Sequence, residues 1–269
     1  MHVTQRGTVY SLSGPENAPV VTLIHGIGVN HQLWRDYQHT LSNHYQVLSY
    51  DILGHGGSSR PPEPLSLSLF AEQLRDLLDD LHIERCAAVG FSMGGMINRR
   101  FAMDHPERTS ALVIMNSPHE RSVNAQKLVE ERVRNTAAGG PSATIDTSMA
   151  RWFTPEFLAS KNPIVDEVRA WVLANDPRTY TEVRQVLASG VTELIRPQQS
   201  IDTPTLVITC ENDSGSNPDM AYGISSEIDG AQTVIIPRLQ HMGLSEQPEL
   251  FISEIVRFLD DSIKTDCIP

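Results

Sequence analysis

The chain has 269 residues, of which 40% are hydrophobic and 20% are charged, as in an ordinary globular domain. Its 21 lysine and arginine residues and 33 aspartate and glutamate residues give a formal net charge of −12, which argues against binding to nucleic acid or to an anionic membrane surface. No apolar run approaches the ~18 residues of a transmembrane helix, and the polar N-terminus predicts no signal peptide. Three scattered cysteines, Cys86, Cys210 and Cys267, lack metal-ligand spacing, so we expect a cytoplasmic protein.

Strands and helices are predicted to alternate along most of the chain. Short apolar or alternating runs predict strands over residues 2–5, 8–13, 20–24, 45–50, 86–89, 112–115, 205–209 and 233–236. Apolar residues at helical spacing predict helices over residues 31–42, 65–81, 93–102, 219–228 and 248–261. This alternation predicts an α/β fold with a doubly wound, mostly parallel sheet.

A glycine-rich loop, His25-Gly26-Ile27-Gly28, follows the third predicted strand. Open α/β sheets build their sites at the carboxyl ends of central strands. In an acyl-transfer enzyme such a loop donates one backbone N–H to an oxyanion hole, and we predict Ile27 as the donor, with Gly28 as the alternative. A second glycine-rich turn, residues 51–59, contains His55, which we interpret as structural because it is out of chain order for a catalytic base.

The segment Gly90-Phe91-Ser92-Met93-Gly94 fits the G-x-S-x-G nucleophile elbow. It lies between a predicted buried strand and a predicted helix, which is the context that the motif requires. The serine of an elbow has a strained backbone, so the residues two positions before and after it must be small. We therefore predict Ser92 as a nucleophile at a helix N-terminus and the Met93 amide as the second oxyanion donor.

Residues 119–197 have helical patterns and no clearly predicted buried strand. We predict that they form a helical cap inserted between two late strands, with residues 1–118 and 198–269 forming the core. The insert is rich in arginine although the whole protein is acidic. Its arginines are Arg121, Arg132, Arg134, Arg151, Arg169, Arg178, Arg184 and Arg196.

Two further candidates follow strands late in the chain. Asp213 follows the seventh predicted strand and His241 follows the eighth. Ser92, Asp213 and His241 thus have the order nucleophile, acid, base, and because each follows a predicted strand, one edge of the sheet can bring them together. Glu211 and Asp219 are alternatives for the acid, whereas His241 is the one histidine after it.

Several motifs carry a family resemblance. In chain order they are Ile24-His25-Gly26-Ile27-Gly28, Asp51-x-x-Gly54-His55-Gly56, Gly90-Phe91-Ser92-Met93-Gly94-Gly95, Asp213 and His241. Together they resemble the α/β-hydrolase superfamily over nearly the whole chain. The segments Arg151-Trp152-Phe153-Thr154-Pro155 and 202–208 are similar to those of 3-oxoadipate enol-lactonases and their relatives. Residues 116–119 and 210–216 depart from the lactonase pattern, so the substrate is left open.

The resemblance implies hydrolysis through an acyl-enzyme, with no metal or organic cofactor. Ser92 attacks a carbonyl, His241 transfers the proton, and Asp213 orients the histidine ring. We expect the substrate to be an ester or lactone of a small carboxylate-bearing metabolite, and we expect no nucleic-acid or membrane partner. The sequence leaves the oligomeric state open.

Two residues of the insert are predicted to bind the substrate. Arg151 pairs with its carboxylate, with Arg121 or Arg178 as alternatives, and Trp152 lines the pocket. Three other functions remain open: hydrolysis of an amide or enamide of an acidic catabolite, hydrolysis of a carbon–carbon bond, and a non-catalytic ligand receptor that retains the triad. An ester assay separates the receptor from the enzymes.

Overall fold

The computed structural model describes residues 1–60 and 64–263, and within them eight strands form one sheet. In chain order the strands are β1 (His2–Val3), β2 (Val9–Ser13), β3 (Val20–Ile24), β4 (Gln46–Tyr50), β5 (Cys86–Phe91), β6 (Thr109–Met115), β7 (Thr205–Cys210) and β8 (Gln232–Ile236). Their order across the sheet is β1-β2-β4-β3-β5-β6-β7-β8. Strands β3 to β8 pair in parallel, whereas β1 and β2 are antiparallel to their neighbours. The predicted α/β fold with a mostly parallel sheet is confirmed.

Helices connect the parallel strands and form a long insert late in the chain. In chain order the α-helices of the described residues are α1 (Arg35–Leu41), α2 (Leu67–Asp80), α3 (Met93–Asp104), α4 (Val123–Gly139), α5 (Ile145–Trp152), α6 (Pro155–Ala159), α7 (Pro163–Leu173), α8 (Pro177–Ser189), α9 (Pro218–Ser226), α10 (Gly243–Glu246) and α11 (Pro248–Ile263). Helices α4 to α8 lie between β6 and β7, and residues 116–204, all of them described, contain no strand. The predicted helical insert between two late strands is therefore present. None of the helices that the structure describes has an apolar stretch of the length that a bilayer crossing requires.

Helix α2 begins where a side chain caps it. The Ser66 hydroxyl accepts a hydrogen bond from the Leu69 N–H at 3.1 Å, as an N-cap residue does. The helix therefore starts at Leu67, two residues after the predicted start at Leu65. Its apolar residues recur at helical spacing and are buried: Leu67, Phe70, Ala71, Leu74, Leu77 and Leu78. Burial of each large side chain contributes about 1.5–3 kcal/mol relative to its exposure, so this stripe fixes the helix on the core.

Prolines mark the starts of three helices in the insert. Pro155, Pro163 and Pro177 each occupy the first turn, where the missing N–H costs no helical hydrogen bond. The side chain before each proline accepts a backbone N–H of that turn; these residues are Thr154, Asn162 and Asp176. The same residues that interrupt the helical pattern in the sequence therefore divide the insert into short, capped helices.

Helix α11 packs on the core through one face. Phe251, Ile255, Phe258 and Leu259 are buried. Leu250 is also apolar, but its side chain is 41% exposed. Because these four residues set the inward face of a helix with 3.6 residues per turn, a side chain directly before Phe251 points to one side of that face.

The cysteines are divided between the described and the remaining residues. Cys86 and Cys210 are buried and free. Cys267, together with the end of the predicted core segment 198–269, lies outside the described residues.

Candidate active site

Ser92 lies in the turn between β5 and α3, with backbone angles φ 56° and ψ −112°. A positive φ is strained for a residue with a side chain, so the surrounding structure must hold it. A Cβ added at Gly90 would overlap the carbonyl of Gly94, and one added at Gly94 would overlap the carbonyl of Ile24 on β3. The two glycines therefore let the turn pack closely on the neighbouring strand, and Ser92 lines a cavity above it.

His241 lies between Ser92 and Asp213. Its Nδ1 is 2.6 Å from Asp213 Oδ2, and its Nε2 is 3.2 Å from the Ser92 Oγ. An ionised carboxylate only accepts hydrogen bonds, so Nδ1 carries the ring proton and donates a hydrogen bond to Asp213. Nε2 is then free to accept a hydrogen bond from the Ser92 hydroxyl. Of the alternative acids, Glu211 accepts the backbone N–H of Arg238, in the loop after β8, at 2.8 Å, and Asp219 is exposed. The carboxylate that the fold brings to His241 is that of Asp213.

The buried Asp213 carboxylate accepts four hydrogen bonds. Oδ1 accepts the N–H groups of Gly215 and Ser216 at 2.8 and 3.0 Å. Oδ2 accepts the Asn116 amide at 2.9 Å in addition to the His241 ring. Burial alone would raise the pKa of Asp213, but the His241 ring, the Asn116 amide and the Gly215 N–H more than offset it and lower that pKa below its usual value. The carboxylate is therefore charged at neutral pH.

Asn116 is a site residue that the sequence patterns do not reveal. It follows β6, which pairs with β7, and its N–H donates to the Ile208 carbonyl at 2.8 Å. Its φ of 46° lies in the left-handed region, which asparagine tolerates better than most residues. The one signal in the sequence is its position at the carboxyl end of a central strand, where sites in α/β sheets are built.

Replacing Asn116 with aspartate should make ionisation of Asp213 less favourable. Two carboxylates in contact cannot both ionise freely, so they share a proton. We expect Asn116→Asp to lower kcat by roughly 10- to 100-fold near pH 7, and to move the acidic limb of the pH–rate profile to higher pH. Asn116→Ala removes one charge-assisted hydrogen bond and should lower kcat by about tenfold. It should leave the acidic limb of the pH–rate profile where it is in wild type. A wild-type profile in Asn116→Asp would show that the amide does not support the acid.

Two aromatic side chains hold the His241 ring. Phe91 at the end of β5 lies 4.9 Å from it and Trp152 at the end of α5 lies 6.2 Å from it, measured between ring centroids. The Met242 N–H also donates to the Trp152 carbonyl at 2.7 Å. Trp152, predicted to line the pocket, therefore lines the cavity and also connects the helical insert to the loop of the candidate base.

The loop after β3 contacts the elbow and is fixed by a buried histidine. A Cβ added at Gly26 would lie 3.1 Å from the Ser92 Cβ, and Ile27 lines the same cavity as Ser92. The Ile52 N–H donates to His25 Nε2 at 3.0 Å, so the ring proton is on Nδ1, which donates to the Gly26 carbonyl at 2.7 Å. Burial lowers the pKa of His25 to about 4, which keeps the ring neutral. The loop geometry therefore depends on an uncharged imidazole.

The two predicted oxyanion donors, the Ile27 and Met93 amides, belong to two segments that meet at Ser92. Ile27 follows β3, the neighbour of β5 in the sheet. Met93 is the first residue of α3, where a backbone amide has no carbonyl one turn earlier in the helix to bind. Gly28, the alternative, approaches the insert instead, since its carbonyl accepts the Asn175 amide at 2.9 Å.

The burial of His25 predicts a loss of stability in acid. Its pKa is about 6.5 in the unfolded chain and about 4 in the folded one, so the unfolded state binds more protons between these values. The free energy of unfolding should fall as pH decreases through that window, by about 2 kcal/mol at pH 5 from this residue. Burial also lowers the pKa of His55, to about 3, which acts in the same direction.

Denaturant unfolding at pH 7.5 and pH 5 measures this effect. We expect His25→Gln to lose less stability on acidification than the wild type, although it starts from a lower value at pH 7.5. Replacement of the exposed His39 with glutamine controls for the removal of any histidine. If the free energy of unfolding had the same pH dependence in wild type and in His25→Gln, His25 would not be the cause of the loss of stability in acid.

Four arginines of the helical insert line the same cavity as Ser92 and His241. They are Arg121, Arg132, Arg151 and Arg184. Arg151 and Arg121 were the predicted carboxylate ligand and one of its alternatives. The other alternative, Arg178, lies outside the cavity; its side chain is 80% exposed and pairs with Glu182. Among residues 1–60 and 64–263, no group of three metal-ligating side chains comes close enough to hold a metal ion.

The sequence and the fold are similar to those of known hydrolases. The model of the family described as alpha/beta hydrolase fold matches residues 19–248. The 3-oxoadipate enol-lactonase 2 of Acinetobacter baylyi is 26% identical over 243 residues, covering 90% of this chain and 89% of that protein. The (E)-2-((N-methylformamido)methylene)succinate hydrolase of the same organism is 25% identical over 252 residues, covering 93% of each. The crystal structure of the enol-lactonase from Burkholderia xenovorans LB400 superimposes with a TM-score of 0.86 at 25% identity, covering 94% of this chain and 96% of that one. The resemblance to α/β-hydrolases and enol-lactonases indicated by the motifs is confirmed.

Proposed function

The chain belongs to the alpha/beta hydrolase fold family, and from this premise we propose that it is a serine hydrolase that cleaves an ester or lactone of a small carboxylate-bearing metabolite. One observation carries the proposal: Ser92, His241 and Asp213 form a chain of hydrogen bonds that opens into a cavity lined by arginines. The hydrogen bonds suit acyl transfer, and the guanidinium groups suit an anionic substrate.

The proposed reaction has two steps. The Ser92 hydroxyl attacks the substrate carbonyl while His241 Nε2 accepts its proton, and Asp213 stabilises the imidazolium that forms. The Ile27 and Met93 amides bind the oxyanion, an interaction typically worth ~2.7–4 kcal/mol per donor. The protonated ring then donates to the leaving oxygen, and water repeats the sequence on the acyl-enzyme. The contacts of the His241 ring with Ser92 on one side and with Asp213 on the other support this order of proton transfers.

The helical insert is proposed as the part that selects the substrate. In this division, residues 119–197 form a cap, and residues 1–118 and 198–269 form the core. The sheet supplies the reactive groups at its carboxyl edge, whereas the insert supplies the arginines of the cavity. The hydrogen bond from the Met242 N–H to the Trp152 carbonyl connects the two parts beside His241. Trp152 and His241 therefore line the same wall of the substrate pocket.

Arg151 is proposed to bind the substrate carboxylate. It is half-buried at the cavity wall, and its Nη1 lies 3.6 Å from the position of a Cβ added at Gly215, in the loop that holds Asp213. In the part of the chain that the structure describes, no carboxylate lies within salt-bridge distance of it. A planar guanidinium in such a place pairs with a carboxylate through two charge-assisted hydrogen bonds.

Removing the Arg151 guanidinium should weaken the binding of charged substrates selectively. We expect Arg151→Ala to raise KM for acidic lactones or esters on the order of 100-fold, as loss of a buried charged pair implies, and for a neutral short-chain ester by only a few-fold. Arg151→Lys should recover part of the loss, since lysine lacks the planar fork.

The measurement is kcat/KM for matched charged and neutral esters. Arg178→Ala is the control, because Arg178 lies on the surface of the same insert. If the ratio of charged to neutral activity does not change in Arg151→Ala, Arg151 does not recognise the carboxylate. Absence of turnover in wild type for every ester and lactone would instead favour the receptor alternative.

An amide substrate is the second candidate. The relative from Acinetobacter baylyi named as an N-methylformamido succinate hydrolase supports it, because the chain matches that protein over 93% of both lengths. The same three side chains serve either bond, and His241 would then donate its proton to the leaving nitrogen. Parallel assays of an ester and an amide with the same acid portion separate the two. A carbon–carbon bond is the remaining alternative, tested with a diketone.

A further inference from the structure

The cavity holds more positive charge than one carboxylate would balance. Arg132 lies on α4, Arg151 on α5 and Arg184 on α8, and Arg121 precedes α4. All four line the cavity that contains Ser92 and His241. Among the described residues, no salt bridge joins any of the four to a carboxylate, although most other arginines of the insert form one.

The guanidinium groups also affect one another. Burial lowers the pKa of Arg151 to about 10, and repulsion by Arg132 and Arg184 adds to that effect. Burial likewise lowers the pKa of Arg132, with Arg184 as the next cause. Partly buried like charges without counter-charges are unfavourable, so this set is suited to an anion that enters the cavity.

Two of the four have hydrogen bonds that fix their position. Arg121 donates to the Leu187 and Ala188 carbonyls at 3.2 and 3.1 Å, so most N–H donors of its guanidinium group are already paired within the protein. Arg184 is 5% exposed, its guanidinium lies 5.0 Å from the Tyr180 ring centroid, and its Nη2 donates to the Tyr180 hydroxyl at 2.6 Å.

Unused hydrogen-bond donors remain on three of the four arginines. The Nε of Arg184 is buried without a hydrogen-bond partner among the described residues. In the same part of the chain, the structure gives the guanidinium groups of Arg132 and Arg151 no hydrogen-bonded acceptor. Arg151 lies next to the loop of the candidate acid, whereas Arg132 and Arg184 lie on helices α4 and α8, which pack against each other. One carboxylate at Arg151 would leave this second pair of arginines without a counter-charge.

We propose that the substrate carries two carboxylates, of which one binds Arg151 near the reacting groups and the other binds between Arg132 and Arg184. The inference rests on the proposed function in that it concerns the same cavity, and it specifies the substrate as a dianion. Arg132 and Arg184 are then specificity-determining residues. They distinguish a dicarboxylate from a monocarboxylate of the same length, because only the dicarboxylate reaches both positions.

Competitive inhibition tests this without knowledge of the substrate. The probes are succinate, glutarate and adipate, each compared with the monocarboxylate of equal length, butyrate, pentanoate or hexanoate. They compete with a neutral p-nitrophenyl ester at constant ionic strength, since exposed charges are screened by salt. We expect the tightest dicarboxylate to have an inhibition constant at least about tenfold lower than that of its monocarboxylate partner.

Two variants assign the second position. Arg132→Met should reduce the preference for the dicarboxylate to within about threefold, while the monocarboxylate inhibits as in wild type. Arg134→Met is the matched control, since Arg134 is exposed two residues along the same helix, and it should change neither constant. Arg184→Lys should also reduce the preference; it keeps a positive charge but loses the fork.

A calorimetric titration of Ser92→Ala with the same acids separates this inference from the proposed function. Tight dicarboxylate binding without hydrolysis in wild type would support the dianion site and reject the hydrolase. Hydrolysis with equal affinities for the two classes of acid would reject the dianion site alone. An equal weakening of both acids by Arg132→Met, or the same effect from Arg134→Met, would also overturn the assignment of the second position.

Discussion

Ser92→Ala should lower kcat by at least ~10³-fold while leaving the fold intact, as loss of the nucleophile does in triad enzymes. The structure explains why stability should change little. The Ser92 hydroxyl does not cap helix α3, so its removal sacrifices no helical hydrogen bond. Among the described residues, the hydrogen-bond partner of this hydroxyl is the His241 ring. The strained backbone is fixed by Gly90 and Gly94, which the substitution leaves in place.

A serine-directed phosphonate provides the measurement. It should label wild type at Ser92 and leave Ser92→Ala unlabelled, with the loss of labelling matching the loss of turnover. Ser253→Ala is the control, because Ser253 is exposed on α11 and its hydroxyl donates to the Leu250 carbonyl of the same helix. Labelling at another residue, with activity intact in Ser92→Ala, would end the assignment of Ser92 as the nucleophile.

The sequence predicts the parallel sheet well because strands β3 to β7 are almost wholly buried and therefore appear as short apolar runs. Strand β5, for example, is buried at every position and ends in the elbow. The order of Ser92, Asp213 and His241 could also be predicted, since each residue lies in the loop or turn that follows its own strand. Helix starts were less accurate where a side chain such as Ser66 sets the boundary.

The supporting residues depend on contacts that the sequence does not encode locally. Asn116 reaches Asp213 because β6 and β7 are neighbours in the sheet, although 97 positions separate the two residues. Arg178 and Arg184 lie on one helix, and helical spacing predicts only that they face different directions. Which of them lines the cavity is decided by the packing of α8 against α4. The sequence therefore predicted Arg151 and Arg121, which line the cavity, but it did not single out Arg132 and Arg184.

His241→Ala should reduce kcat almost as far as Ser92→Ala, and Asp213→Asn should approach the same loss through the wrong tautomer. The two N–H groups that bind Asp213 Oδ1 at 2.8 and 3.0 Å would hold the carbonyl of an asparagine in that place. Its NH2 group would then face His241 Nδ1 and donate to it. The ring proton would move to Nε2, which could no longer accept from Ser92. We expect a loss of roughly 10³- to 10⁴-fold.

The double variant Ser92→Ala with His241→Ala tests whether these residues act as a unit. Because proton transfer to His241 has no use without the Ser92 hydroxyl, the double variant should be little worse than either single one. Values of kcat for the three single variants and the double variant, measured on one neutral ester, give the coupling directly. Additive losses would mean that another group serves as the base. Near-wild-type turnover in Asp213→Asn would mean that the carboxylate does not fix the tautomer, and that the 2.6 Å contact with the ring has only a structural role.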